Sequence, residues 1–318
     1  TLKDSSFSKK ADQVIKIDNY FYFIQAVNRW LLANNMQNGM FIKDRTEGFE
    51  EYKAALLNAD FDQMLEFAGT DENTVAAFAK DYNEEMNAIM IFQEKALSAN
   101  ASMAMHNLAM ITGKLGKTAN GLIALKEKNN GHGIFDMGVC HKIGIGAEPI
   151  LDEDLQYRMQ FKWKVDELPF TINSVYKLFR GGKIKNAFIF GEDPVGCALD
   201  KDDIKQQFSR IEFKVVQDLW MSDTARMADL VMPASMPWEF GGTYTNSQRK
   251  IQQIEKQMEA DIKDSSFKQL VKMLEKTGIN GILTPAQALE EAISLLPRRG
   301  DFKDLHFVFK EKDNENRQ

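Results

Sequence analysis

Two cysteines in 318 residues, Cys140 and Cys197, are too few for a disulfide framework or for an iron–sulfur motif. No run of about eighteen apolar residues occurs, so no membrane span is expected. The opening Thr-Leu-Lys-Asp-Ser-Ser-Phe-Ser-Lys-Lys lacks the apolar centre of a signal peptide. Lys and Arg form no long block, and the net charge of −6 also argues against a nucleic-acid surface. No Gly-x-Gly-x-x-Gly follows a strand-like run and no phosphate-binding Gly-x-x-x-x-Gly-Lys-Ser/Thr loop is present, which argues against a free-standing nucleotide-binding module. His106 has no companion at metal-ligand spacing. These absences lead to the expectation of a cytoplasmic protein with no metal cluster of its own. What is present, 44% hydrophobic and 27% charged residues, belongs to a globular chain long enough for two domains.

The richest stretch runs from Ala187 to Arg249. Apolar runs at Ala187–Phe190, Phe213–Val216 and Leu230–Met232 end in Gly191-Glu192-Asp193-Pro194, Gln217-Asp218 and Pro233. Short β-rich runs ending in Gly, Asp or Pro, with helical or turn segments between them, read as consecutive parallel strands. Ligands of such sheets sit beyond the carboxyl ends of the strands, where those three endings fall.

The ordered series G-E-D-P (191–194), V-V-Q-D (215–218), T-A-R-M-A-D-L-V-M-P (224–233) and E-F-G-G-T-Y-T-N-S-Q-R (239–249) resembles the molybdopterin oxidoreductase family. The resemblance is in particular to formate dehydrogenase catalytic subunits. The large iron–sulfur subunit of NADH dehydrogenase and of related hydrogenase complexes is similar too. R-T-E-G-F-E-E-Y (45–52), N-L-A-M-I-T-G-K-L-G-K (107–117) and N-N-G-H-G-I-F-D-M-G (129–138) extend the match over most of residues 10–260. The resemblance implies an α/β chain of two partial doubly wound, Rossmann-like domains with mostly parallel sheets. They are expected over residues 1–125 and 126–300, followed by a charged tail over 301–318. It also implies that the family's cluster-bearing amino-terminal portion and its carboxy-terminal barrel are absent here.

Along the chain, residues 11–17 read as a strand and Tyr20–Asn35 as a helix with Ile24, Val27, Leu31 and Leu32 on its apolar stripe. Arg45–Leu57 continues helically, and Thr70-Asp71-Glu72 opens a helix carrying Val75, Phe78, Ala79 and Tyr82 on one face. Ala88–Phe92 has the composition of a fully buried strand. Ser102–Ile111 reads as an apolar helix whose methionines fill core, with His106 packed inside and Gly113 as its stop. Residues 122–150 lack periodicity; the resemblance implies that they line a pterin. A charged stretch with Trp163 and Phe170 leads to the sheet. Ile251–Met258 and Ser265–Lys276 read as helices, Thr284-Pro285 opens another, and the tail from Lys310 is charged.

In the family the metal takes one Cys or selenocysteine ligand, which the resemblance places upstream of residue 1. Cys140 and Cys197 are therefore expected to pack as small hydrophobes. Lys126 stands where formate dehydrogenases carry Arg before the Asn129-Asn130 pair, and an ammonium lacks the two-pronged guanidinium grip on a carboxylate. Asp18-Asn19-Tyr20 replaces a glycine-containing turn, and Phe92-Gln93-Glu94-Lys95 replaces a glycine pair that lets backbone approach a ligand. If a pterin dinucleotide is held, the resemblance assigns it to Lys126, Asn129, Asn130, Asp136, Gly191, Glu192, Asp193, Pro194, Gln217, Asp218, Thr243 and Asn246. The alternative role for Gly191–Pro194 and Gln217-Asp218 is turn formation. Glu239, Thr243, Thr245, Asn246 and Arg249 are expected to fix a loop by side-chain to backbone bonds.

Two functions follow as expectations. One is a non-catalytic scaffold subunit of an electron-transfer complex with no cofactor in this chain, its partners carrying iron–sulfur clusters and flavin. The other is half of a split molybdenum or tungsten formate dehydrogenase that shares a bis-pterin (molybdopterin guanine dinucleotide) cofactor with a partner chain.

Overall fold

The computed structural model describes residues 8–168, 173–278, 281, 284–296 and 305–306. The chain divides into two compact units, residues 1–127 with the end of the chain, and residues 128–297. Phe170 and the tail from Lys310 lie outside the described residues.

The first unit is mainly helical. It contains α1 (Tyr20–Ala33), α2 (Gly39–Arg45), β1 (Thr46–Glu47), α3 (Phe49–Asn58), α4 (Phe61–Ala68), α5 (Glu72–Glu84), β2 (Ile89–Gln93), α6 (Ala99–Ile111) and β3 (Gly121–Leu125). Helix α1 is the centre on which α3, α4, α5 and α6 pack. Its stripe of Ile24, Val27, Leu31 and Leu32 is buried as the periodicity predicts, and Val75, Ala79 and Tyr82 of α5 join the same core. Four helix starts in this unit share a local cause. Asn19, Asp60, Asp71 and Ser98 accept hydrogen bonds from the first-turn N–H groups of α1, α4, α5 and α6, donors that otherwise have no partner within the helix. Ser98→Ala, which removes a 3.1 Å bond from Ala101 N–H, is expected to cost about 1 kcal/mol. A lower urea midpoint with unchanged slope is the readout.

Several expectations fail in this unit. Residues 11–17 form no strand; the segment instead leads into the Asn19 cap, and Asp18 N–H donates to Ala68 O at 2.8 Å. The helix expected over Arg45–Leu57 is interrupted by β1 and by Gly48 in the left-handed conformation. Strands β2 and β3 pair in parallel, but theirs is a two-stranded sheet, and without layers on both faces Ile91 stays 61% exposed. His106, expected inside, is exposed. Met110 is buried as expected, while Met103 and Met105 are half-buried.

The second unit holds α7 (Gly131–Asp136), β4 (Met137–Cys140), β5 (Ile143–Ile145), α8 (Glu153–Trp163), α9 (Val175–Arg180), β6 (Asn186–Phe190), α10 (Lys201–Phe208), β7 (Phe213–Asp218), β8 (Leu230–Pro233), α11 (Pro237–Phe240), β9 (Gly242–Thr245), β10 (Ile251–Ile254), α12 (Ser266–Lys276) and α13 (Pro285–Leu295). A short strand β11 (Leu305–His306) returns to the first unit and pairs with β1. Strands β6, β7 and β8 are parallel, as the three apolar runs predict, and lie side by side in that order. Ala187 and Ile189 of β6 pack on Phe179, Ile204, Phe208 and Ile211, so α9 and α10 cover one face. A separate small core joins Ile145, Ile150, Leu155 and Met159 to Ala292 and Leu295 of α13. Helix α13 starts at the predicted Thr284-Pro285, with a reciprocal cap between Thr284 and Gln287.

Ile251–Met258 is not a helix. Residues 251–254 form β10, antiparallel to β9, because the preceding turn is closed by Asn246. Its Oδ1 accepts from Gln248 N–H (2.9 Å) and Lys250 N–H (3.1 Å), while its own N–H donates to Lys250 O. Such an Asx-type turn sends the chain back along β9 before a helix can nucleate.

Candidate functional site

The carboxyl edge of β6–β7–β8 gathers the first set of predicted residues. Register places Phe190 opposite Gln217 and Asp218 opposite Pro233, and Gly191 N–H donates to Gln217 O at 2.8 Å. Gly191 adopts φ +65°, a conformation costly for other residues, and the space where a Cβ would project is open. Glu192 is exposed and faces Lys128 at 3.6 Å.

The other polar groups at this edge are already engaged. Asp193 Oδ1 accepts from Thr224 N–H (3.0 Å), Thr224 Oγ1 (2.6 Å) and Gly196 N–H (2.9 Å). Thr224, 1% exposed, in turn accepts from Val195 N–H through Oγ1 at 3.0 Å. Partial burial alone would raise the Asp193 pKa, but these donors outweigh it and hold the carboxyl below its ordinary range. Pro194 leads directly into the fully buried Val195. Gln217 is buried and its Nε2 donates to Gln269 Oε1 at 2.9 Å, tying β7 to α12. The Asp218 carboxylate caps the next turn, accepting from Leu219 N–H (2.7 Å) and Ser222 Oγ (2.8 Å).

Asn130, Asp136, Thr243 and Asn246 make a second group around α7 and the β9–β10 hairpin. The Asn130 amide donates to Thr243 O (3.2 Å) and accepts from Thr245 N–H (3.0 Å), so one side chain satisfies the outer edge of β9 as a neighbouring strand would. Gly133 leaves room for this side chain, since a Cβ there would lie 2.2 Å from Asn130 Oδ1 and displace the amide. Arg249 donates to Asp136 Oδ1 at 2.5 Å and lies 3.1 Å from His132 Nδ1. Glu239 accepts from Met236 N–H at 2.7 Å. Fixing this loop by side-chain to backbone hydrogen bonds is thus observed for Glu239 and Asn246; Arg249 bonds to the Asp136 and His132 side chains, and Thr243 and Thr245 contribute backbone groups.

Asn129 is exposed and lines a cleft of about 550 Å³ with Asn246, Trp238, Tyr244 and Gln252. Sequence reasoning missed the last three. The Gln252 signal was hidden by reading 251–258 as a helix; alternation along a strand aligns Gln252 with Tyr244, its register partner.

In the first unit, Lys126 is ion-paired with Glu94, and Lys95 meets both carboxylate oxygens of Glu127 at 2.9 and 3.0 Å. These two pairs bind the carboxyl ends of β2 and β3 to each other, at the place where a parallel sheet would receive a ligand. Among the described residues no group of three or more His, Cys, Asp or Glu could hold a metal ion. Cys140 is half-buried, whereas Cys197, expected to pack, is exposed because its turn follows the Asp193 hub outward. Among the described residues no helix is long and apolar enough to cross a membrane.

Residues 10–270 match the model of the molybdopterin oxidoreductase family. The chain is 29% identical over 262 residues to the F420-dependent formate dehydrogenase 2 subunit alpha of Methanococcus maripaludis, covering 80% of this chain and 38% of that protein. It is 31% identical over 239 residues to the F420-dependent formate dehydrogenase subunit alpha of Methanocaldococcus jannaschii, covering 73% of this chain and 35% of that protein. Acetylene hydratase from Pelobacter acetylenicus shares the fold, with a TM-score of 0.64 at 14% identity over 87% of this chain and 42% of that one. The chain therefore spans little more than a third of the length of these formate dehydrogenase relatives.

Proposed function

Because the chain belongs to the molybdopterin oxidoreductase family, we propose that it is a non-catalytic, scaffold-type subunit of a multi-subunit electron-transfer complex. Its relatives' names support formate as the substrate of that complex; hydrogen, NAD(P)H or ferredoxin belong to the proposal as the wider class of electron carriers. Iron–sulfur and flavin chains are the partners on which it packs. One observation carries the reading: residues that would face a pterin dinucleotide are held by bonds within the chain. Asp193 is committed to Thr224, Gln217 to Gln269, Asn130 to β9, Asp136 to Arg249 and Lys126 to Glu94. A ligand taking any of them would have to compensate a lost partner, at about 1–3 kcal/mol for each buried group left unpaired. Among the described residues no donor set fits a metal ion.

A second reading, half of a split formate dehydrogenase sharing a bis-pterin cofactor, is favoured by the open space at Gly191 and the free edge at Asn129. It requires Lys126 to leave Glu94 and meet the substrate carboxylate. Lys126→Ala in the assembled complex separates the two. The scaffold role predicts formate-dependent dye reduction within about twofold of the parent, since the Lys126–Glu94 pair is open to water on its Glu94 side and contributes only about 1 kcal/mol. The split enzyme predicts a loss of about a hundredfold, the scale of a misplaced substrate.

A further inference from the structure

Helix α8 has two sides of opposite character. Its inner side is engaged within the second unit. Leu155 and Met159 are buried in the small core with α13. Arg158 pairs with Glu148 at 2.7 Å and donates to Leu295 O at 2.9 Å, and the Trp163 indole N–H donates to Glu291 at 2.7 Å.

The outer side is apolar at its middle and charged at its ends. Tyr157 is 68% exposed and Phe161, one turn later, is 76% exposed. Their ring centroids lie 6.2 Å apart with planes inclined by 24°, so the two rings form one continuous ledge of apolar area left in water. Asp154 lies about one turn before Tyr157, and Lys164, the left-handed residue that closes the helix, lies just beyond Phe161. Both are exposed, and neither has an ion pair among the described residues.

The spacing of these four residues is symmetric. Met159 stands midway in sequence between Tyr157 and Phe161, and also midway between Asp154 and Lys164. A two-fold axis crossing the outer side at that level sets Tyr157 against the partner's Phe161 and Asp154 against the partner's Lys164. Each contact then occurs twice, as an interface between identical surfaces requires. The antiparallel arrangement also brings the negative end of each helix dipole beside the positive end of the other. A different protein would have to supply the complement of this pattern, whereas a second copy already contains it.

We infer that the outer side of α8 is a self-association surface that joins two copies of this chain through antiparallel packing of α8 on α8. One helix pair buries less than the roughly 1,200 Å² of a standard interface, so the dimer is reversible, with a dissociation constant between about 1 µM and 1 mM. The inference does not rest on the proposed scaffold role, because its readout is the mass of the chain by itself, whatever complex the chain enters.

Sedimentation velocity of the full chain over a dilution series tests it. A monomer–dimer equilibrium is expected, weakened about thirtyfold by Phe161→Glu, the scale of losing a central aromatic anchor, with circular dichroism unchanged because the side chain is exposed. Asp154→Lys or Lys164→Asp alone sets like charges face to face twice per dimer and is expected to weaken association about tenfold. Aspartate is among the residues that tolerate the left-handed conformation at position 164. Combining the two reversals is expected to return association to within about twofold of the parent, since the opposite charges then face each other again. A chain that stays monomeric throughout the series overturns the inference. So does association that Phe161→Glu leaves unaltered, or that the combined reversal fails to restore.

Discussion

Asp193→Ala is expected to destabilise the second unit by about 2–3 kcal/mol, the cost of removing an ionised acceptor from donors that are then left unpaired. Three donors converge on one carboxylate oxygen, and one of them, the Thr224 hydroxyl, is buried and itself supports Val195 N–H. The loss should appear as a lower urea midpoint for unfolding of residues 128–297. The pH dependence follows from the same geometry. A carboxyl whose pKa is lowered by folding contributes stability that is complete above its unfolded pKa. That contribution fades as pH falls through the carboxylate range to the folded value. Asp193→Asn keeps one acceptor, so it should lose less, about 1 kcal/mol, and should flatten the acid limb of the stability profile. Were Asp193 a ligand contact instead, both variants would keep the midpoint and lose affinity for guanine nucleotides.

Leu31→Ala is expected to cost about 3 kcal/mol in the first unit, within the range for deleting a buried leucine where neighbours cannot close the cavity. Leu31 is 0% exposed on the helix against which α3, α4, α5 and α6 all pack, so relaxation by one helix is opposed by the others. Faster amide hydrogen exchange across residues 20–111 is the corresponding local readout. Ile91→Ala provides the contrast. At 61% exposure it should change stability by no more than about 0.5 kcal/mol, although composition alone reads it as core.

That contrast explains how much was legible in the sequence. Helix α1 was readable because a period near 3.6 is a local signal, carried by Ile24, Val27, Leu31 and Leu32. Strands β6, β7 and β8 were readable because each apolar run ends in a residue that stops a strand. Ala88–Phe92 was misjudged because a continuous apolar run reports affinity for a sheet interior, not how many strands or layers are present to make one. Residues 251–258 were misjudged because Ile-Gln-Gln-Ile suits either period, and the choice is made by Asn246 five residues earlier. At the candidate site, the Gly-Glu-Asp-Pro and Gln-Asp endings located the sheet edge. That Asp193 is spent on Thr224, thirty-one positions away, depends on a tertiary contact that no local pattern encodes. The same holds for Asn130, whose partners on β9 lie more than a hundred residues downstream.

The central claim is that this chain keeps the architecture of a pterin enzyme while its polar edge residues hold the fold together. The most direct test is elemental analysis for molybdenum and tungsten, with pterin fluorescence after oxidation, on the chain separated from its purified complex. The account predicts background levels of metal and pterin in this subunit. Stoichiometric molybdenum or tungsten retained with it would contradict the account.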